Sequence, residues 1–176
     1  KAPNKLGANT IITAWHCLES YRDVSKTITF TLFYGTDDAI SFEAHRLVDG
    51  GGMDADWAVL RLVTPVDSSL VFGLQVHPAR ADKLQPVIMA GYSQNSPGKR
   101  LSYDPECHIT SQTLSGKGPS ESNCKALKGA SGGAVVQLSS NGDPLLAGVI
   151  SQGNGEQLSI FVPVKNFRSA IQASLK

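Results

Sequence analysis

Short apolar or alternating runs recur along the chain, separated by clusters of Gly, Asp, Asn, Ser and Pro. Many of these runs are rich in Val, Ile, Thr, Phe and Tyr, the composition of strands bounded by turns. They predict strands at residues 9–14, 27–34, 39–48, 57–63, 87–91, 106–113, 134–138, 145–151 and 159–163. The run at 27–34, TITFTLFY, alternates as a half-buried antiparallel strand should. Asn141-Gly142-Asp143-Pro144, between two apolar runs, predicts a hairpin. Helical spacing is confined to 164–175, where Phe167, Ala170, Ile171 and Leu175 fall on one face. Many short strands and a terminal helix predict an all-β protein built from barrels or sandwiches. A weakly patterned segment at 64–80, bracketed by Pro65 and Pro78, divides it into two β sub-domains at 1–72 and 80–163.

Composition narrows the class further. The 176 residues are 41% hydrophobic and 18% charged, enough for a core and unlike a disordered chain. The net charge of +1, with no basic stripe, argues against nucleic acid or an anionic membrane as partner. No apolar run reaches the length of a bilayer span. Of the three cysteines, Cys107 and Cys124 flank a Gly/Ser/Pro-rich loop. A disulfide across it would contribute about 3 kcal/mol by loop closure. Metal binding is the competing use, unsupported by any Cys-x-x-Cys spacing. Cys17 is left over, either a buried free thiol or the partner of a group outside this chain.

Three local settings carry candidate chemistry. In Gly129-Ala130-Ser131-Gly132-Gly133 the glycines permit a tight turn that exposes a serine hydroxyl and lets backbone N–H groups converge on one point. The apolar run 134–138 would anchor that turn. In Ile11-Ile12-Thr13-Ala14-Trp15-His16-Cys17 a strand ends at a histidine, a rigid mount for a general base. In Asp54-Ala55-Asp56-Trp57-Ala58-Val59-Leu60 a carboxylate opens a strongly apolar strand, where it can be buried yet hydrogen-bonded to a histidine. Each has an ordinary reading alone: a Gly-rich turn, a rim histidine, a turn aspartate. Asp54 is the rival to Asp56, and His45, His77 and His108 lack a comparable setting.

Together, in the order His–Asp–Ser, these segments resemble the trypsin/chymotrypsin superfamily of serine peptidases. Residues 13–17 resemble its Thr-Ala-Ala-His-Cys, residues 56–60 its Asp-Ile-Ala-Leu-Leu, and residues 129–133 its Gly-Asp-Ser-Gly-Gly. Gly148-Val149-Ile150-Ser151-Gln152-Gly153 resembles the strand that lines its substrate channel, and the likeness runs from about Lys5 onward. The resemblance implies two packed antiparallel β-barrels with a C-terminal helix. It implies a His16, Asp56, Ser131 triad and an oxyanion hole from the N–H groups of Gly129 and Ser131. Substrate-binding residues would be Ser151, Gln152, Gly153 and Lys125. It further implies a peptide or protein substrate, no metal or cofactor, no nucleic acid or membrane partner, a monomer, and a secreted or periplasmic location. The rival expectations are a non-catalytic homologue acting as a binding module, and an esterase on the same fold.

The chain also departs from the superfamily. Ala130 stands where trypsin-like enzymes carry the aspartate that pairs with a newly cut N-terminus, so that activation switch is not expected. In this it resembles bacterial members of the superfamily, and the arrangement Cys124-x4-Gly129-x-Ser131, with a cysteine earlier on the chain, also resembles secreted bacterial branches, including the glutamyl endopeptidases. Those place a histidine in the channel strand, where this chain has Ile150 and Ser151, so glutamate specificity is not expected. Lys125, six residues before Ser131, occupies the position of trypsin's basic-side-chain selector; it either meets an acidic substrate side chain or points into solvent. Residues 1–9 read as polar and turn-like, while the superfamily's first barrel has two strands before the one that delivers the histidine. An upstream segment of about two strands is therefore expected, with Cys17 as its link.

Overall fold

The computed structural model describes residues 7–21, 26–93, 101–113 and 118–175. Two antiparallel sheets carry the fold. The first, a curled half-barrel, orders its strands β1-β4-β3-β2, from β1 (Gly7–Thr13), β2 (Ile28–Leu32), β3 (Ile40–Asp49) and β4 (Ala58–Asp67). The second is built from β6 (Val87–Tyr92), β7 (Leu101–Cys107), β8 (Ile109–Gln112), β9 (Ser120–Ser122), β10 (Ala134–Leu138), β11 (Pro144–Gly153) and β12 (Ser159–Pro163). Its order is β7-β6-β10-β11-β12-β9-β8, and the two-residue β5 (Gln75–Val76) joins β11 in parallel. A 3-10 turn over Val164–Asn166 leads into helix α1 (Arg168–Ser174).

The strand pattern explains both what the periodicity captured and what it missed. Alternating residues 28–32 form β2, paired residue for residue with β3. Residues 106–113, read as one strand, are two. At His108 the backbone leaves β6 for β9, and its N–H and C=O are taken by Asn123 Oδ1 at 2.6 Å and Asn123 N–H at 3.1 Å. β9 leaves no apolar signal in the sequence because Ser-Glu-Ser is polar, although Ser120 and Ser122 are buried. β4 continues through Pro65 because β1 skips that stretch, its register jumping from Arg61 to Val66, so the missing N–H leaves no ladder gap with β1. β1 begins at Gly7, inside the stretch read as turn-like. The helix is shorter than the pattern suggested, since Phe167 at φ −131 interrupts it.

Each sheet wraps its own apolar cluster, and a third cluster joins them. Leu18, Ala44, Ala58, Leu60, Leu62 and Val66 fill the first sheet, while Val87, Met89, Ile109, Val135, Ile150 and Phe161 lie in the second. Between the two, Trp57, just before β4, and Val59 of β4 meet Leu146 and Val149 of β11 and Phe167 and Ile171 of the C-terminal segment. Trp57 stacks on Phe167 with ring centroids 5.4 Å apart and planes 17° apart. Arg61 donates to the Ser174 carbonyl, so α1 is clasped to β4 although it follows the second sheet in sequence.

Cys107 and Cys124 are joined in a disulfide spanning 17 residues. The bond ties the end of β7 to the segment that enters the Gly129–Gly133 turn. Replacing both cysteines by serine is expected to lower unfolding free energy by about 3 kcal/mol in a denaturant titration; no change in midpoint would show that the loop does not constrain the unfolded chain.

Candidate functional site

Register alone gathers the candidate residues. In the first sheet Thr13 pairs with Ala58, so His16, just beyond the end of β1, and Asp56, just before the start of β4, emerge together. In the second sheet Ala134 pairs with Val149, so Ser131 and Ser151 likewise emerge together. The two ends abut. Gly132 lies so close to Thr13 that an added Cβ would sit 2.4 Å from its hydroxyl oxygen.

His16 is the second residue of a 3-10 turn over Trp15–Tyr21, which is flanked by buried Ala14 and contains buried Leu18. Asp56 is fully buried and accepts three hydrogen bonds. Oδ1 receives the His16 backbone N–H at 2.9 Å, and Oδ2 receives His16 Nδ1 at 2.7 Å and the Ser151 hydroxyl at 2.5 Å. These donors compensate the carboxylate for its burial, and the bond to Oδ2 fixes the proton of His16 on Nδ1. That leaves Nε2 as the acceptor facing the cleft. The Ser131 hydroxyl donates to the Ser151 carbonyl at 3.0 Å.

The turn before Ser131 is defined by its backbone. Ala130 N–H donates to Leu127 C=O at 3.0 Å, and Gly129, the third residue of that turn, has φ 96. This is a type II turn, which only glycine occupies without strain at that position. Its central peptide is flipped relative to a type I turn, so Gly129 N–H faces outward from the loop. Neither Gly129 N–H nor Ser131 N–H donates to an acceptor among the described residues. His16, Ser131 and the strips 126–129 and 150–153 line one cleft of about 560 Å³, with exposed Glu19 and Met53 on its rim.

Residues 6–171 match the Trypsin family model. The chain belongs to the trypsin family. A search of curated proteins returned no match. Membership makes it a member of a serine peptidase family with protein substrates, and no helix among the described residues is long and apolar enough to cross a membrane.

Within this trypsin-family chain the residues named from the sequence do not all meet. His16, Asp56, Ser131, Gly129, Ser151, Gln152 and Gly153 border the same cleft or support it. Lys125 does not line that cleft. It lies on a neighbouring depression with Asp104, Asn123 and Glu156, and its backbone N–H is held by Asp104 at 2.9 Å. Among the described residues no cluster of three or more His, Cys, Asp or Glu side chains is disposed to hold a metal ion. The sequence does not announce the bond from the Ser151 hydroxyl to Asp56, because a serine inside an apolar strand carries no signal of a partner 95 residues away. Cys17 is exposed rather than buried, with Sγ 4.0 Å from His16 Nε2 and 3.7 Å from the Ser131 carbonyl. Partial burial of the sulfur, and then the negative charge of Asp56, push its thiol above the usual range.

Two outcomes follow from this geometry. Ala130 is buried, with Gly91 packed against it so closely that a Cβ there would come within 3.0 Å. Ala130→Asp is therefore expected to cost about 3 kcal/mol or more as an unpaired buried charge, read as a lowered denaturation midpoint; wild-type stability would contradict the packing. Cys17 should react with iodoacetamide at neutral pH more slowly than free cysteine, the rate climbing only as pH passes the ordinary thiol range, and rapid neutral-pH labelling would contradict its raised pKa.

Proposed function

We propose that this protein is a serine endopeptidase that cleaves peptide bonds through an acyl-enzyme. The observation that carries the reading is the buried Asp56 carboxylate, which takes donors from His16 on one sheet and Ser151 on the other within a cleft that also exposes Ser131. In the reaction the Ser131 hydroxyl turns from the Ser151 carbonyl toward His16, and Oγ attacks the substrate carbonyl carbon as its proton passes to Nε2. Asp56 holds the resulting imidazolium through Nδ1–H. The N–H groups of Gly129 and Ser131 receive the oxyanion, an interaction worth about 3 kcal/mol per donor. His16 then delivers its proton to the leaving amine. Water, deprotonated by His16, hydrolyses the ester and restores Ser131.

Substrate binding has support from the sheet. β10 pairs with β11 only as far as Val149, and the Gly132–Gly133 turn takes over to Ile150. Beyond that point Gln152 and Gly153 pair with β12 on one side only, and Ser151 is skipped by a register shift, so an extended peptide can add as a strand on the other side. The disulfide supports work in an oxidising compartment, a secreted or periplasmic setting.

A fluorophosphonate probe is expected to label wild-type protein at Ser131 and to leave Ser131→Ala unlabelled. Absence of labelling in the wild type would favour a binding module. Asp56→Asn should lower kcat about 10,000-fold through loss of the correct tautomer. Ser151→Ala should lower kcat about tenfold at unchanged KM, as expected for a positioning residue that has lost one charge-assisted hydrogen bond.

A further inference from the structure

The two strips that flank the cleft beside Ser131 meet instead of staying apart. One is the segment Ala126–Gly129 and the other is Ile150–Gly153. At Gly153 an added Cβ would sit 2.4 Å from the Ala126 carbonyl oxygen and 2.8 Å from its Cβ. These distances mean that the backbone of one strip rests against the residue of the other, an approach only glycine allows. Two residues on, Gly155 N–H donates to the same Ala126 carbonyl at 3.2 Å, closing the gap a second time.

Ala126 has little freedom to retreat. Its own N–H donates to the Ser159 hydroxyl at 3.0 Å, and that hydroxyl donates to the Cys124 carbonyl at 2.6 Å. Ser159 is fully buried in β12, and Cys124 is bonded to Cys107. The wall is thus held from in front by the 153–155 segment, from behind by β12, and at its base by the disulfide. Interiors packed in this way do not open by several ångströms to admit a side chain.

A peptide lying along Ser151–Gly153 with its carbonyl at Ser131 Oγ directs the side chain on the acyl side of that bond between these strips. We infer that the seam of Ala126 against Gly153 makes the protein selective for a glycine, alanine or serine at that position. This inference rests on the peptidase reading above. A Phe, Lys or Glu side chain that enters the cleft runs into the Ala126–Gly153 backbone contact instead of passing between the strips; Lys128 lines the cleft as an exposed side chain, and Lys125 lies in the neighbouring depression that Gly155 also lines.

The test uses wild-type protein and a series of peptidyl phosphonate diphenyl esters that differ only in the side chain beside phosphorus, namely those of Gly, Ala, Phe, Lys and Glu. Labelling rates at Ser131 are measured by mass spectrometry beside a compact ethyl fluorophosphonate. The Gly or Ala probe is expected to react about 100-fold faster than the Phe, Lys and Glu probes. An advantage below tenfold over any of these three overturns the inference and leaves the peptidase reading intact. The same holds if the compact probe labels but none of the peptidyl series does. If no probe labels Ser131, the peptidase reading falls and the inference falls with it.

Discussion

A charged carboxylate with no exposed surface is the constraint around which the molecule is arranged. Asp56 sits where burial of an unpaired charge would be prohibitive, and it is tolerated because three donors converge on its two oxygens. Two donors come from His16 on the first sheet and one from Ser151 on the second. The sheets must therefore keep their relative position to within a hydrogen bond's tolerance, or a buried anion loses a partner. The stacking of Trp57 on Phe167, directly after Asp56 in sequence, supplies the apolar contact that holds that position.

The same device is used twice. In each half an antiparallel pair ends at a defined register, and the chemistry-bearing residues lie just past it: His16 and Asp56 beyond Thr13 and Ala58, Ser131 and Ser151 beyond Ala134 and Val149. Placing such groups at the ends of ladders gives them rigid mounts while leaving them free of sheet pairing. Backbone groups that would otherwise extend the ladder then become available to a substrate. The edge of Ser151–Gly153 and the outward Gly129 N–H are such groups.

How much of this was legible depended on how local each signal was. The alternation in 28–32 and the apolar runs of β4, β10, β11 and β12 reported their own burial, so the all-β class and most strands could be read directly. His16, Asp56 and Ser131 were recognisable because each has a distinctive immediate setting. What remained hidden was non-local. The polar strand β9 exists because its partners β8 and β12 demand it, and the break at His108 follows from a change of neighbour. The side chain of Lys125 matched a familiar position, yet its backbone is drawn toward Asp104 and it lines another depression. The seam between Ala126 and Gly153 joins segments whose proximity no residue in either one announces.

The docking of α1 against β4 ties the cleft to a segment that does not line it. Residues 164–175 follow every candidate catalytic residue, yet Phe167 and Ile171 complete the cluster that fixes the Asp56-bearing strand relative to β11. A substitution in residues 164–175 would therefore reach the cleft at a distance, through the apolar contact it makes with Trp57 and Val59, without touching any residue that lines the cleft.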